Sequence, residues 1–197
     1  SPHLRQVQRD KLGDIGHLDS AVDLPDKPLF LIANEFFDAL PIRQLQRVEQ
    51  GWAERVVHLT HMGDLTLGLT APTPGPEAPL GQIRESCPEA TPIVTQIAGR
   101  IATHGGLAIF IDYGNWQGWG DTFQALRRHA PEDPLAHPGE ADLTAHVDFA
   151  PLAQAARAAG ARVSRMERQG GGLLRLGMAA RAERLAQAGD AGAMAAL

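Results

Sequence analysis

The sequence predicts an α/β domain in which parallel strands are flanked by helices, and three observations carry that expectation. The run Leu29-Phe30-Leu31-Ile32-Ala33 is apolar over a strand's length and ends abruptly in Asn34, Glu35 and Asp38. That is the profile of a buried strand delivering polar groups to its carboxyl end, where open α/β sheets bind ligands. Leu107-Ala108-Ile109-Phe110-Ile111 repeats the profile and ends in Asp112-Tyr113-Gly114. Helical patterns lie before and after these runs, so helix and strand alternate along the chain.

Each element has a local reason. Ser1-Pro2 gives an N-cap followed by proline at the first helical position, with Leu4, Val7 and Leu12 apolar among charges and Gly13 and Gly16 as stops. Asp19 to Pro25 connects that helix to the first apolar run. From Ile42 to Leu69 the β-prone pieces Ile42–Val48, Trp52–Leu59 and Leu65–Leu69 are punctuated by Gly51 and Gly63, which predicts an antiparallel hairpin or meander. Ala71-Pro72-Thr73-Pro74-Gly75-Pro76 reads as a surface loop. Thr91-Pro92 repeats the capping signal, and Ile93, Ile97 and Ile101 give one apolar helix face that ends at Gly105-Gly106. Further on, Asp148 is placed to cap a helix faced by Leu152, Ala155, Ala156 and Ala159. Gly160 terminates it, and Ala161 to Met166 is expected to extend as a strand. The tail from Leu173 to Leu197 is Ala-rich and reads as helix.

Composition narrows the function classes. With 197 residues and 44% apolar content the chain can bury one core of ordinary size, and 21% charged residues argue against disorder. A net charge of −5 with no dense Lys/Arg cluster makes nucleic acid an unexpected partner. The single Cys87 excludes an internal disulfide and any cysteine-based zinc site, and suits a reducing compartment. No apolar stretch approaches the roughly 20 residues of a membrane helix, so no membrane insertion is expected. The expected location is cytoplasmic, or organellar where a leader has been removed. His58 and His61 lack a third ligand nearby, so no metal site is expected. Gly114 to Gly120 reads as a mobile loop, and Gln169-Gly170-Gly171-Gly172 as a hinge rather than a phosphate cradle.

The candidate chemistry gathers at strand ends. If the two apolar runs are neighbours, Asn34, Glu35, Asp38, Asp112 and Tyr113 converge on one crevice, where carboxylates orient a cation or accept a proton. The plainer reading of Asn34, Glu35 and Asp38 is that they cap the turn leading to Pro41. Gly139 to Phe149 alternates polar and apolar residues, with Asp142, Thr144, His146 and Asp148 on one side. It suits an extended segment across a site mouth, or an ordinary half-buried strand ending in a cap.

Three segments, Ile32-Ala33-Asn34-Glu35-Phe36-Phe37-Asp38-Ala39-Leu40-Pro41, Ile111-Asp112-Tyr113-Gly114 and Gly139 to Phe149, closely resemble the MidA-like family of S-adenosylmethionine-dependent methyltransferases. That family includes the mitochondrial arginine methyltransferase that assists respiratory complex I assembly. The resemblance implies a class I, Rossmann-like methyltransferase fold, a mostly parallel sheet with flanking helices, with residues 42–69 as an inserted hairpin. It implies S-adenosylmethionine as cofactor and a protein arginine as acceptor, with a complex I subunit as a partner by analogy and a mitochondrial location in a eukaryote. Carried over by position, Asp19, Ser20, Ala33 and Asn34 would contact the methyl donor, and Glu35, Asp38 and Asp112 would be catalytic. Tyr113, Asp142, Thr144, His146 and Asp148 would line the acceptor site. Laid on the family pattern, residues 1–197 are expected to form a partial methyltransferase domain. The first two strands with their Gly-rich donor loop, and the last strand, would be missing, so that this stretch alone is inactive. Arg168-Gln169-Gly170-Gly171-Gly172 departs from the family's Thr-Gln-Gly run. A non-enzymatic protein-binding or assembly module on the same fold is the alternative.

Overall fold

The two apolar runs form adjacent parallel strands. The computed structural model describes residues 2–118 and 120–187, which divide into two compact units, one up to Val163 and one from Ser164. In chain order the first contains α1 (Pro2–Leu12), β1 (Leu29–Asn34), β2 (Arg43–Val48), β3 (Gly51–Leu59), β4 (Leu65–Leu69), β5 (Ile83–Ser86) and α2 (Ala90–His104). It continues with β6 (Gly106–Ile111), β7 (Gly114–Asn115), β8 (Gln124–Arg127), β9 (Ala130–Glu132), β10 (Asp142–Thr144), β11 (Val147–Asp148) and α3 (Phe149–Ala158). The second unit holds α4 (Gln169–Arg175) and α5 (Met178–Gln187). The expected cap Ser1 and the tail from residue 188 lie outside the described residues.

β1 and β6 pair in parallel, Leu29 opposite Gly106 through Asn34 opposite Ile111, so their carboxyl ends finish level. Gly106 is required where the pair begins: a Cβ there would stand 1.9 Å from the Leu29 carbonyl oxygen. One face of the pair meets α2 and α3 through a core of Phe37, Ala90, Val94, Ala98, Val147, Leu152 and Ala156, joined by Phe110. The alanines let the helices approach closely, and Phe37 locks in with edge contacts to Phe36 and Phe110, ring centroids 5.1 and 5.2 Å away.

Burial of both strand faces was expected, and the structure corrects this. Phe30 and Ile32, with their register partners Leu107 and Ile109, are exposed, Phe30 to 81%. Side chains alternate across a strand, and among the described residues only one face of this pair is covered.

Residues 43–86 form a four-stranded antiparallel sheet in the order β4-β3-β2-β5. Three of its strands match the β-prone pieces, while β5, four residues long, carries no sequence pattern strong enough to stand out. The Pro-rich loop does more than cross the surface: Thr73 bridges Trp52, and the buried Trp52 donates its Nε1–H to the Pro76 carbonyl at 2.8 Å. Arg43 and Glu54 form a forked pair at 2.6 and 2.7 Å, which holds the Glu54 carboxyl below its usual range.

Other expectations shift by small amounts. α2 starts at Ala90, so Thr91 sits inside its first turn, and Glu89 occupies the N-cap without a side-chain bond. Its buried face is Ala90, Val94, Ile97 and Ala98, so of the three expected isoleucines Ile97 is buried, while Ile93 and Ile101 are half-buried and Ile93 packs at the edge of the core. Ala161 to Met166 forms no strand, since among the described residues nothing pairs with it, although Ala161 and Val163 pack on the core. Gly114-Asn115 belongs to β7, paired with β11, instead of opening a loop. Gln169 to Gly172 is the first part of α4 and not a hinge.

Candidate functional site

Three separate segments of the sequence meet at the level ends of β1 and β6. The Glu35 amide donates to the Ile111 carbonyl at 2.9 Å, extending the strand ladder by one residue. The chain then turns sharply, and Asp112 Oδ2 accepts from the amides of Phe36, Phe37 and Asp38 at 3.1, 2.8 and 3.3 Å. Asp112 Oδ1 accepts from the Tyr113 amide at 3.0 Å. Residues 145–147 close the junction: Ala145 donates to the Asp38 carbonyl at 3.0 Å and Val147 to the Tyr113 carbonyl at 2.8 Å. Gly114 allows this approach, since a Cβ on it would lie 2.1 Å from the Val147 carbonyl oxygen.

Within this frame the carboxylates differ. Glu35 is exposed and its backbone adopts φ +49°, the left-handed region that a side chain occupies at a cost of about 1–3 kcal/mol. Asp38 is only 5% exposed. Burial raises its carboxyl above the ordinary range, and the neighbouring charges of Asp112 and Glu35 raise it further. A buried acid crowded by like charge is poised to take up a proton. Phe37, buried beneath the turn, anchors the segment that carries both Glu35 and Asp38.

The remaining expected residues fall into distinct places. Asn34 is exposed at the last position of β1 and Ala33 is half-buried beside it. Tyr113 is 61% exposed next to Asp112. His146 presents its side chain to solvent between buried Ala145 and Val147. Asp142 and Thr144 lie on β10, opposite Leu126 and Gln124. Asp148 is the N-cap of α3, its Oδ1 accepting from the Ala150 amide at 3.1 Å. That bond engages one of its two oxygens in the capping role its sequence position also suggested. Ser20 caps a short 3-10 turn at Ala21–Asp23, accepting from the Val22 amide at 3.2 Å. Asp19 is held by Arg5, whose guanidinium keeps its carboxyl below the usual range. Asp112, holding four backbone amides, positions the turn at the strand ends.

Sequence reasoning missed two groups behind this frame. Phe37 stood inside a quoted motif without a stated role, and its burial follows from the turn that Asp112 holds. Glu85 and Thr122 were not singled out at all. The alternation of Ile83 and Glu85 along β5 was the available signal, since it puts both on one face.

For a cationic methyl donor, the fit is good at one end. The carboxyl ends of parallel strands, Asn34 and a cluster of carboxylates suit a positive sulfonium. Asp19 and Ser20 have their side chains engaged within the chain.

A family model described as "Putative S-adenosyl-L-methionine-dependent methyltransferase" matches residues 1–166, and the chain belongs to that family. Among proteins similar to it are the mitochondrial protein arginine methyltransferases NDUFAF7 of Xenopus laevis, 38% identical over 135 residues, and of Homo sapiens, 37% identical over 142 residues. These alignments cover 64% and 68% of this chain but 31% and 32% of the relatives, so the chain spans about a third of their length. Two solved structures from Burkholderia thailandensis, both of the COG1565 superfamily, share its fold. One is 28% identical with a TM-score of 0.67, covering 81% of this chain and 48% of that one. The other, bound to S-adenosyl-homocysteine, is 27% identical with a TM-score of 0.65, covering 81% and 46%. The fold is therefore the Rossmann-like methyltransferase fold. Among the described residues no helix is long and apolar enough to cross a membrane, and no group of His, Cys, Asp and Glu is arranged to hold a metal.

Proposed function

We propose that this chain forms the acceptor side of an S-adenosylmethionine-dependent protein arginine methyltransferase. The observation that carries the reading is Asp38, a buried carboxyl crowded by Asp112 and Glu35 where two parallel strands end. S-adenosylmethionine supplies, when bound, an electrophilic methyl group on a positive sulfonium. Ala33 and Asn34 would hold its methionine part. Glu35, exposed at the rim, pairs with the planar guanidinium of an incoming arginine, and Asp38 receives the proton that the attacking nitrogen gives up. Tyr113 and the half-exposed Phe36 offer ring faces to the same cation. The names of the relatives support a protein arginine as acceptor. The partner put forward by the family resemblance is a complex I subunit, with a cytoplasmic location, or a mitochondrial one in a eukaryote.

The test is methyl transfer to candidate partner proteins and arginine-containing peptides by the full-length protein, read by mass spectrometry at arginine. Asp38→Asn is expected to lower turnover by about 10²- to 10⁴-fold while the protein stays folded. Undiminished turnover in that variant would refute Asp38 as proton acceptor. Absence of arginine methylation by the unaltered protein would refute the acceptor class.

A further inference from the structure

Outside the strand ends, Glu85 on β5 is a carboxylate only 5% exposed and hydrogen-bonded through both oxygens. Its Oε1 accepts from Gln44 Nε2 at 2.7 Å and from the amides of Thr122 and Phe123 at 3.0 and 3.2 Å. Its Oε2 accepts from the Thr122 hydroxyl. Gln44, also buried, donates again to Asp121 at 2.8 Å, and Asp121 receives Arg55 at 2.7 Å. The Gly120 amide donates to the Ile83 carbonyl at 3.1 Å, so residues 120–123 lie along the edge of β5.

The network does not stop at Thr122. A carboxylate only accepts, so the single hydroxyl proton of Thr122 points to Glu85 and leaves its lone pairs free. One of them accepts from the His146 amide at 2.8 Å. The neighbours of His146 on either side are the residues that grip the site, Ala145 on the Asp38 carbonyl and Val147 on the Tyr113 carbonyl. Three consecutive amides thus go to three different segments, and the middle one depends on Glu85 through one hydroxyl.

We propose that Glu85 is a positioning residue for the acceptor site, acting through the Thr122 hydroxyl on residues 145–147 and so on Asp38. This inference rests on the reading of Asp38 as the group facing the methyl acceptor. Glutamine at position 85 has a donor that competes with the His146 amide for the Thr122 oxygen, so Glu85→Gln alters the polarity of the relay with little change in shape. Thr122→Val removes the relay, and Thr122→Ser keeps it.

The experiment follows amide hydrogen exchange and methyl transfer to an arginine-containing peptide in the full-length protein. Glu85→Gln and Thr122→Val are each expected to speed exchange at Ala145 about tenfold, although neither substitution touches the Ala145 bond to Asp38. They should lower kcat by about tenfold with KM for the peptide within twofold, and shift the pH midpoint of kcat. Thr122→Ser should restore all three. Unchanged exchange at Ala145, faster exchange without loss of kcat, or failure of Thr122→Ser to restore what Thr122→Val removes would each overturn the proposal. If Glu85→Gln does not fold, the two Thr122 variants decide the matter. If the unaltered protein methylates no arginine, the functional reading falls, and the exchange arm alone decides whether Glu85 positions this segment.

Discussion

Asp38 and Glu85 are equally buried, each 5% exposed, yet their surroundings are opposite. Glu85 collects hydrogen bonds from Gln44, Thr122 and Phe123 and faces no competing carboxylate among those partners. Asp38 sits beside Asp112 and Glu35, and burial together with those two charges outweighs the Ala39 and Asp38 amides that favour its anion. The contrast separates two uses of a buried acid. A carboxylate whose lone pairs are satisfied holds a fold together, whereas one surrounded by like charge is unstable as an anion and gains by meeting a cation or a proton.

The contrast can be broken most forcefully at the shared support. Phe37→Ala removes the ring beneath the Asp38 turn and should cost about 3–5 kcal/mol of stability, measured by denaturant unfolding, with turnover falling as the turn loosens. Next comes Glu85→Ala, which leaves the donors of Gln44, Thr122 and Phe123 without their acceptor and should cost roughly 3 kcal/mol. Asp38→Asn should go the other way and raise stability at neutral pH, because it removes the charge that burial and two carboxylates oppose. Loss of stability in that variant would place Asp38 in the same class as Glu85.

A pH series sharpens the same point with a smaller effect. The folded-state carboxyl of Asp38 lies above its unfolded value, so the folded form binds its proton more tightly. Its contribution is fully present below the ordinary carboxylate range and is lost as pH rises through the raised value. Unfolding free energies from pH 4 to 7 should therefore decline more in the unaltered protein than in Asp38→Asn. An identical slope in both would show that Asp38 titrates normally. The smallest effect is expected at Glu35, where φ is +49°. Glu35→Gly relieves that backbone and should stabilise by up to about 1 kcal/mol while lowering turnover, a trade that marks strain kept for function.

Much of the molecule was legible in advance, for reasons that differ by region. β1 and β6 announced themselves as continuous apolar runs, while their pairing as parallel neighbours, only a condition in the sequence, is seen in the structure. The cap Asp148 was readable because a capping bond reaches only two residues along the chain. Ala161 to Met166 misled because a strand is defined by its neighbour, and none pairs with it among the described residues. The carboxylates at the strand ends were equally visible as a group, but their individual roles were not. Asp112 lies more than 70 residues from the amides it binds, and no local pattern encodes that closure.

Local sequence thus determined where apolar runs end, which residues cap and turn, and that acidic groups would stand at the carboxyl ends of the strands. These are short-range matters, governed by side-chain periodicity and by hydrogen bonds between near neighbours. Only the tertiary structure decided which acid is satisfied and which is left crowded, because that depends on donors brought from distant segments. It also decided that one face of the β1 and β6 pair stands open, that Glu85 holds the Thr122 hydroxyl which accepts from the His146 amide, and that the neighbouring Ala145 amide meets the Asp38 carbonyl, since burial and long-range hydrogen bonding exist only once the chain has closed on itself.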